Sequence, residues 1–328
     1  MKRLRGKSLH LTAGPILLSI LSATVPHDSA WSQAARTIKL IVGVAPGGIS
    51  DTLARLLADE IGRTQGVTMI VENRPGAGTA IATEGVSRAM PDGNTILFVA
   101  SSFVINPHLK KLSYDPLTSF EPICQVARSP HLVLVNDASP YRGLADLLSA
   151  ARAKPGDLTM ARNGPATGQH IAFELLKRAA GIDMTYVPYS GSVPVINALL
   201  GNHVAAAIAD YGDAAQLLKA GKLRPLATAS RARIEALPNV PTIAESGYED
   251  YEKEGSQGIV APAKTPKENV AQLIDWFTAA LQTPAFATSL EKLGLLGVRN
   301  CGDDFAAYLR KGYNEYGRII REANIKVR

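Results

Sequence analysis

The chain predicts an α/β protein built around mainly parallel sheets, with a second domain inserted into a discontinuous first one. Three observations carry this. From residue 36 onward, apolar runs of β type alternate with helices of amphipathic spacing, the order that builds parallel sheets. A second set of such units opens after Asp137-Ala138-Ser139-Pro140. A late apolar run, Gly258–Val260, then reads as a strand returning to the first domain. Two crossing segments, near Val133–Asn136 and Gly258–Val260, form the expected hinge. The 328 residues suffice for two domains of ordinary size.

The elements follow in order. Ile38, Leu40, Ile41, Val42 and Val44 form the first strand, which ends at Pro46-Gly47-Gly48. Leu53, Leu56, Leu57 and Ile61 then recur at helical spacing. Thr68–Glu72 reads as a strand and Asn73–Gly78 as a loop. A helix through Ile81, Val86 and Ala89 stops at Met90-Pro91-Asp92-Gly93, and Thr95–Ala100 is the next strand. Residues 120–136 read as two strands. In the second domain, Leu144–Ala153 is a helix, Leu158–Ala161 a strand, and Ile171, Leu175 and Ala179 mark a helix face. Met184–Val187 is a strand, Val195–Leu200 a helix, and Val204–Ala209 and Leu223–Thr228 are two short strands. From Pro266 the pattern is helical, over Val270–Leu281, Pro284–Leu293 and Asp304–Ala323.

The N-terminus carries a targeting pattern. Lys2, Arg3, Arg5 and Lys7 precede the apolar stretch Leu9–Val25, and Ser32-Gln33-Ala34 offers small residues for cleavage. This is the three-part pattern of a secretory signal peptide over residues 1–34, and it predicts an exported protein. Setting aside Lys2, Arg3, Arg5, Lys7 and Asp28 leaves 31 basic against 28 acidic side chains, a net +3 in place of +6. The remaining Lys and Arg form no stripe and aromatics are few, which argues against nucleic-acid binding. Cys124 and Cys301 are the two cysteines. They could pair in an oxidising compartment, but they lie far apart in unlike contexts, and the sequence leaves this open. No Cys/His cluster has zinc-ligand spacing, so no metal and no cofactor is expected.

Strand ends deliver small polar residues at Pro46–Asp51, Ser101-Ser102, Asn163–His170, Tyr189–Ser192 and Asp210. In open α/β sheets ligands bind outside the carboxyl ends of the strands. Two glycines before a helix start allow close approach to unsatisfied N–H groups at the positive end of the helix dipole, a cradle for an anion. Thr167 is placed to cap the helix that follows it, so that this helix start mirrors the one after Gly48. Each residue also has a plainer reading. Gly47-Gly48 could be only a tight turn, and Asp51 could complement its own helix dipole. His170 could be a packing group, Tyr189 part of the core, and Asp210 a turn residue. Enzyme signatures are weak: Gly76-Ala77-Gly78 lacks the third glycine of a dinucleotide fingerprint, and there is no Walker loop, nucleophile elbow or His-Glu-x-x-His.

The stretches IKLIVGVAPGGISDTLARLLADEI, VENRPGAGTAIATEGVSRAMPDGNTILF, INPHLKKLSYDP with SFEPI, YVPYSGSVPVINALLGNHV, AGKLRPLATASRARIEALPNVPTIAESGY and VAPAKTPKENVAQL together carry a resemblance. From about Thr37 to Ile325 the chain resembles the Bug (TctC-like) family of periplasmic solute receptors, which serve tripartite tricarboxylate transporters. The resemblance implies a two-lobed periplasmic binding protein fold of type II, each lobe a mainly parallel sheet flanked by helices, with two crossing hinge strands. Lobe 1 would comprise residues 36–134 and 257–328, and lobe 2 residues 135–256. It further implies a non-catalytic monomer that closes on a small carboxylate (dicarboxylate, tricarboxylate, amino acid or aromatic acid) and delivers it to membrane permease subunits. Carried over by motif, the ligand contacts are Pro46, Gly47, Gly48, Asp51 and Ser101 in lobe 1, and Thr167, Gly168, Gln169, His170, Tyr189 and Asp210 in lobe 2. Departures from the family pattern bear on the ligand. Val44-Ala45 stands where Phe-Pro is common, Ser190 replaces a usual Lys, and Ser256-Gln257 stands where a Trp is common. An orphan sensor signalling to a membrane partner is the alternative role, and a secreted hydrolase using His170 or Asp51 is the competing class.

Overall fold

The computed structural model describes residues 36–164 and 167–326; the expected signal peptide lies outside them. The chain opens with β1 (Thr37–Val42), α1 (Ile49–Gln65), β2 (Thr68–Asn73), α2 (Ala80–Ser87) and β3 (Thr95–Ala100). β1 pairs in parallel with both β2 and β3. Its alternation sets two faces. Ile38, Leu40 and Val42 pack on Leu53, Leu57 and Ile61 of α1, while Ile41 turns to the opposite side with Leu97 and Phe103. Both faces are covered, as a parallel sheet requires.

The short α3 (Ser102–Ile105) leads to β4 (Phe120–Asn136). The sequence suggests two strands here, and the structure has one of 17 residues. Its first part, through Pro130, pairs with β9 (Glu254–Pro262). From His131 it pairs instead with β7 (Ala206–Asp210) and β8 (Leu223–Thr228) of a second sheet. Arg128-Ser129-Pro130 interrupts the apolar run because the ladder changes partner there, and a proline without an N–H is tolerated at that point. The second sheet continues with β5 (Thr159–Asn163) between β7 and β6 (Thr185–Tyr189), all parallel. Its helices are α4 (Leu144–Ala153), α5 (Gly168–Ala180), α6 (Ser192–Leu200) and α7 (Tyr211–Lys219). Two apolar clusters cover its faces, one around Phe173 and Leu147, the other around Leu199 and Leu132.

The chain returns where the Lys253 N–H donates to Ala229 O, at 2.8 Å, and the next residue starts β9. β9 lies antiparallel between β3 and β4. α8 (Lys267–Leu281), α9 (Pro284–Lys292), β10 (Leu296–Cys301) and α10 (Asp303–Glu322) complete the first lobe. The result is a two-lobed α/β molecule in which parallel strands in each lobe are joined by antiparallel crossing strands. Among the described residues no helix is long and apolar enough to cross a membrane.

β10 and α7 have no counterpart in the sequence pattern. LGVRNC is polar and reads as loop, and α7 starts directly after β7 with Gly212 in its first turn. β10 runs antiparallel to β4 with Cys301 opposite Cys124, and the two cysteines form a disulfide with an S–S distance of 2.04 Å. The bond closes a separation of 177 residues across the first lobe. Cross-links that close long loops restrict the unfolded chain most, so reduction or Cys301→Ser is expected to remove about 2–5 kcal/mol of stability. Differential scanning calorimetry with and without reductant checks this, with a fall in Tm of roughly 5–15 °C expected.

Candidate functional site

The loop between β1 and α1 is exposed over Pro46, Gly47 and Gly48. Gly47 has φ +93°, a conformation for which glycine is suited. Gly48 caps α1 with φ −82° and ψ 170°, and a Cβ on it would meet nothing within 4 Å. The first N–H groups of α1 have no intrahelical acceptor and stand at the positive end of a 17-residue helix. The loop thus leaves open space at the start of that helix.

Asp51 holds the loop in that shape. Its Oδ2 accepts from the Gly47 N–H at 2.9 Å and from Arg55 Nε at 3.1 Å. Its Oδ1 accepts from Arg55 Nη2 at 3.0 Å and Asn73 Nδ2 at 2.8 Å. Asn73 Nδ2 also reaches Val44 O at 3.0 Å, which ties the end of β2 to the same loop. Burial works against ionisation here, but Arg55, the Gly47 N–H and Asn73 together hold the carboxyl below its usual range. Both oxygens of Asp51 therefore face the protein, and the residue shapes the cradle from beneath.

In the second lobe Thr167 caps α5, as its sequence position suggests. Its hydroxyl oxygen accepts from the His170 N–H at 3.2 Å. Gly168, Gln169 and His170 are buried in the first turn. The His170 ring stacks on Tyr186 with centroids 5.8 Å apart. Arg162 lies over the same tyrosine, its Cζ 3.1 Å from the ring centroid, and donates to Gly164 O at 2.7 Å. Burial, with Arg162 and Lys177 nearby, pushes the His170 pKa down to about 3. The imidazole is neutral throughout the physiological range and is a poor proton acceptor. Tyr189, at the end of β6, is half-buried against the apolar cluster beneath α6.

His131, which the sequence gave no reason to single out, links the two lobes. It is 1% exposed and follows the point where β4 changes sheets. Its Nδ1 lies 2.5 Å from Asp210 Oδ1, directly opposite it in the β4–β7 ladder. A Cβ added to Gly168 would lie 2.9 Å from His131 Nε2 and 3.7 Å from Ser101 Oγ, so α5, the crossing strand and the first lobe meet here. Ser101 Oγ accepts from the Ser256 N–H at 3.1 Å. On the other side a Cβ on Gly212 would lie 2.9 Å from Ile49 Cδ1 and would collide with the Leu293 carbonyl oxygen. The start of α7 is thus pressed against the start of α1. Asp213, in the first turn of α7, has its pKa pushed up to about 6 by burial and by the charge of Asp210, with Ser192 and His131 acting in the opposite sense.

The structure therefore brings the starts of α1, α5 and α7 to the boundary between the lobes, together with Ser101, Asp210 and His131. Asp51 stands behind this arrangement, and His170 is turned into the stack with Tyr186. Among the described residues no group of three or more His, Cys, Asp or Glu is placed to hold a metal ion.

Comparison with known proteins agrees with this architecture. The family model for the tripartite tricarboxylate transporter family receptor matches residues 53–325. Protein BugT of Bordetella pertussis is 29% identical over 303 residues, covering 92% of this chain and 93% of that one. Rpa4515 of R. palustris, solved with adipate, superposes with a TM-score of 0.82 at 30% identity, covering 90% of this chain and 99% of that one. MatC (Rpa3494) from Rhodopseudomonas palustris, solved with bound malate, gives a TM-score of 0.78 at 28% identity, covering 88% and 99%. The family and the fold are those of solute-binding receptors, and the chain belongs to the tripartite tricarboxylate transporter receptor family, among the Bug-type proteins.

Proposed function

We propose that this protein is a periplasmic receptor that captures a small carboxylated metabolite between its lobes by hinge closure and delivers it to the permease subunits of a tripartite tricarboxylate transporter. The observation that carries this reading is the meeting of α1 and α7 at Ile49 and Gly212, with the exposed Pro46-Gly47-Gly48 loop beside it. A carboxylate there is held by backbone N–H groups and the helix dipole, with no need for a bare cation. The adipate and malate bound by two relatives support a small carboxylate as ligand. The Cys124–Cys301 disulfide supports an oxidising compartment, in line with the signal peptide expected over residues 1–34.

Lobe 1 is assigned to residues 36–134 and 257–328 and lobe 2 to 135–256, with the hinge in the crossing strands. The partner exchange at Pro130–His131 and the entry into β9 after Lys253 support that hinge. In lobe 1 the contacts are Pro46, Gly47, Gly48 and Ser101; in lobe 2 they are Thr167, Gly168, Gln169, Tyr189 and Asp210. Asp51 and His170 act through the backbone they support. The receptor works as a monomer and catalyses no reaction. A histidine that titrates near 3 gives a hydrolase no useful base.

Mass spectrometry of the small molecule released from freshly purified protein, followed by calorimetric titration with it, tests the function. Absence of any carboxylate, both in the released material and in titrations with di- and tricarboxylates, would overturn it. Gly48→Val places a side chain into the cradle without backbone strain, so the ligand-free Tm should hold while affinity falls beyond detection. Normal affinity in that variant would reduce the loop to a turn. Gly212→Val should fold but fail to close, read as a radius of gyration by small-angle scattering that ligand no longer reduces. Asp51→Ala should lower stability by about 1–3 kcal/mol and weaken binding, because Arg55 and Asn73 lose their shared anchor. The folded Asp51 carboxyl titrates below its ordinary value of 3.8, so its stabilisation is present above that pH and disappears as pH falls through the lowered folded value. Urea unfolding at stepped pH, comparing wild type with Asp51→Ala, reads this directly.

A further inference from the structure

β5 carries a charge where its neighbours are apolar. Met160 and Ala161 belong to the clusters on the two faces of the second sheet, but the next residue is Arg162, which is 4% exposed. Side chains alternate along a strand, so Arg162 shares the face of Met160, the one covered by α5. Its guanidinium stacks on Tyr186, and Nη1 donates to Asn163 O at 3.3 Å and Gly164 O at 2.7 Å. The Thr167 hydroxyl donates to the same two carbonyls, at 3.4 and 3.2 Å. Asn163, Gly164 and the cap of α5 are thus gathered around one buried cation.

Among the described residues nothing pairs with that charge. The hydrogen bonds of Arg162 go to neutral carbonyls, and its Nε is buried without a partner. His170, stacked on the same tyrosine, is neutral, and burial raises the Tyr186 pKa, so the phenol stays protonated. Glu174 acts on Arg162 only from a distance, and it is shared with His170 Nε2 at 3.8 Å and Lys177 Nζ at 3.9 Å. Burial draws the Arg162 pKa down to about 10, which leaves the group charged at neutral pH. An unpaired charge in a packed interior is costly, and an apolar side chain of similar length in its place is often neutral or stabilising. Packing alone gives no reason for an arginine here.

The reason lies at the boundary between the lobes. Gly168, the first residue of α5, adjoins His131 and Ser101 there. Charges act over longer distances where water is excluded, and Arg162 is linked to the Thr167 cap through a single carbonyl. We infer that Arg162 is a positioning residue that gives the second lobe its charge for the solute: it holds Asn163 and Gly164 behind Thr167, and its unpaired guanidinium takes the bound carboxylate as counter-charge. This rests on the carboxylate-receptor reading above. Contact with the carboxylate stays with the N–H groups and hydroxyls of the cleft, and Arg162 acts through them. The two helix starts differ in this respect. Asp51 beneath α1 is paired with Arg55, whereas the charge beneath α5 is left for the solute to answer.

Arg162→Met keeps an extended side chain and removes the charge. Two measurements read it: the Tm of ligand-free protein, and calorimetric titration with malate, adipate and the carboxylate released from purified protein. The expected result is an affinity lower by about tenfold or more, with a Tm that holds or rises. Arg162→Lys returns the charge without the planar fork. In mildly acidic buffer, where a buried amine stays protonated, it should recover most of the lost affinity. An arginine that only braces the fold predicts the reverse, a Tm several degrees lower in Arg162→Met and no recovery with lysine. Either of those results, or an unchanged affinity in Arg162→Met, would overturn the inference while leaving the carboxylate receptor intact. If wild-type protein freed of endogenous ligand bound none of these carboxylates, the receptor reading itself would fall and the inference with it.

Discussion

One strand has to serve two sheets, and the rest of the molecule is arranged around that constraint. β4 keeps a single extended course for 17 residues, but its hydrogen-bond partners change between Pro130 and His131. β9 enters at the same level, directly after Lys253. Three apolar clusters each cover one face of one sheet, and a fourth joins Ile171 and Leu175 of α5 to Phe305 and Leu309 of α10. The first residue beyond the exchange is His131, which faces Asp210 and abuts Gly168.

The cleft achieves its polarity mostly with backbone. At the β1–α1 junction, Asp51 and Asn73 are engaged in shaping a loop that is exposed over Pro46, Gly47 and Gly48. A carboxylate that supports an anion site from beneath is electrostatically tolerable because Arg55 neutralises it and the helix dipole lies between. The second lobe contributes Thr167 as a conventional cap on α5, but at α7 it contributes carboxyls.

Much of this was legible in the sequence where the signal is local. The Pro-Gly-Gly break between a strand and an amphipathic helix identified the α1 cradle, and Thr167 announced its cap. Asp51 was singled out for its place in the first helical turn, but which way its oxygens face depends on Asn73, 22 residues away. His170 was carried over by motif as a ligand contact, and the fold stacks its ring on Tyr186, 16 residues away in sequence. His131 carried no signal, since it follows Arg128-Ser129-Pro130 in a run of β type and belongs to no motif. Asp213 was hidden in a helix too short, and too close behind its strand, to show a period.

The sequence by itself determined most of the alternating strands and helices and the family to which the chain belongs. These follow from periodicity, turn chemistry and contiguous motifs, all of which act over a few residues. Tertiary structure alone decided that residues 120–136 are one strand, that Cys124 meets Cys301, that Gly212 lies against Ile49, and that His131 and Asp210 share a bond. Each depends on register between segments dozens to hundreds of residues apart. Register is fixed by the packing of whole faces, so no local stretch of sequence carries it.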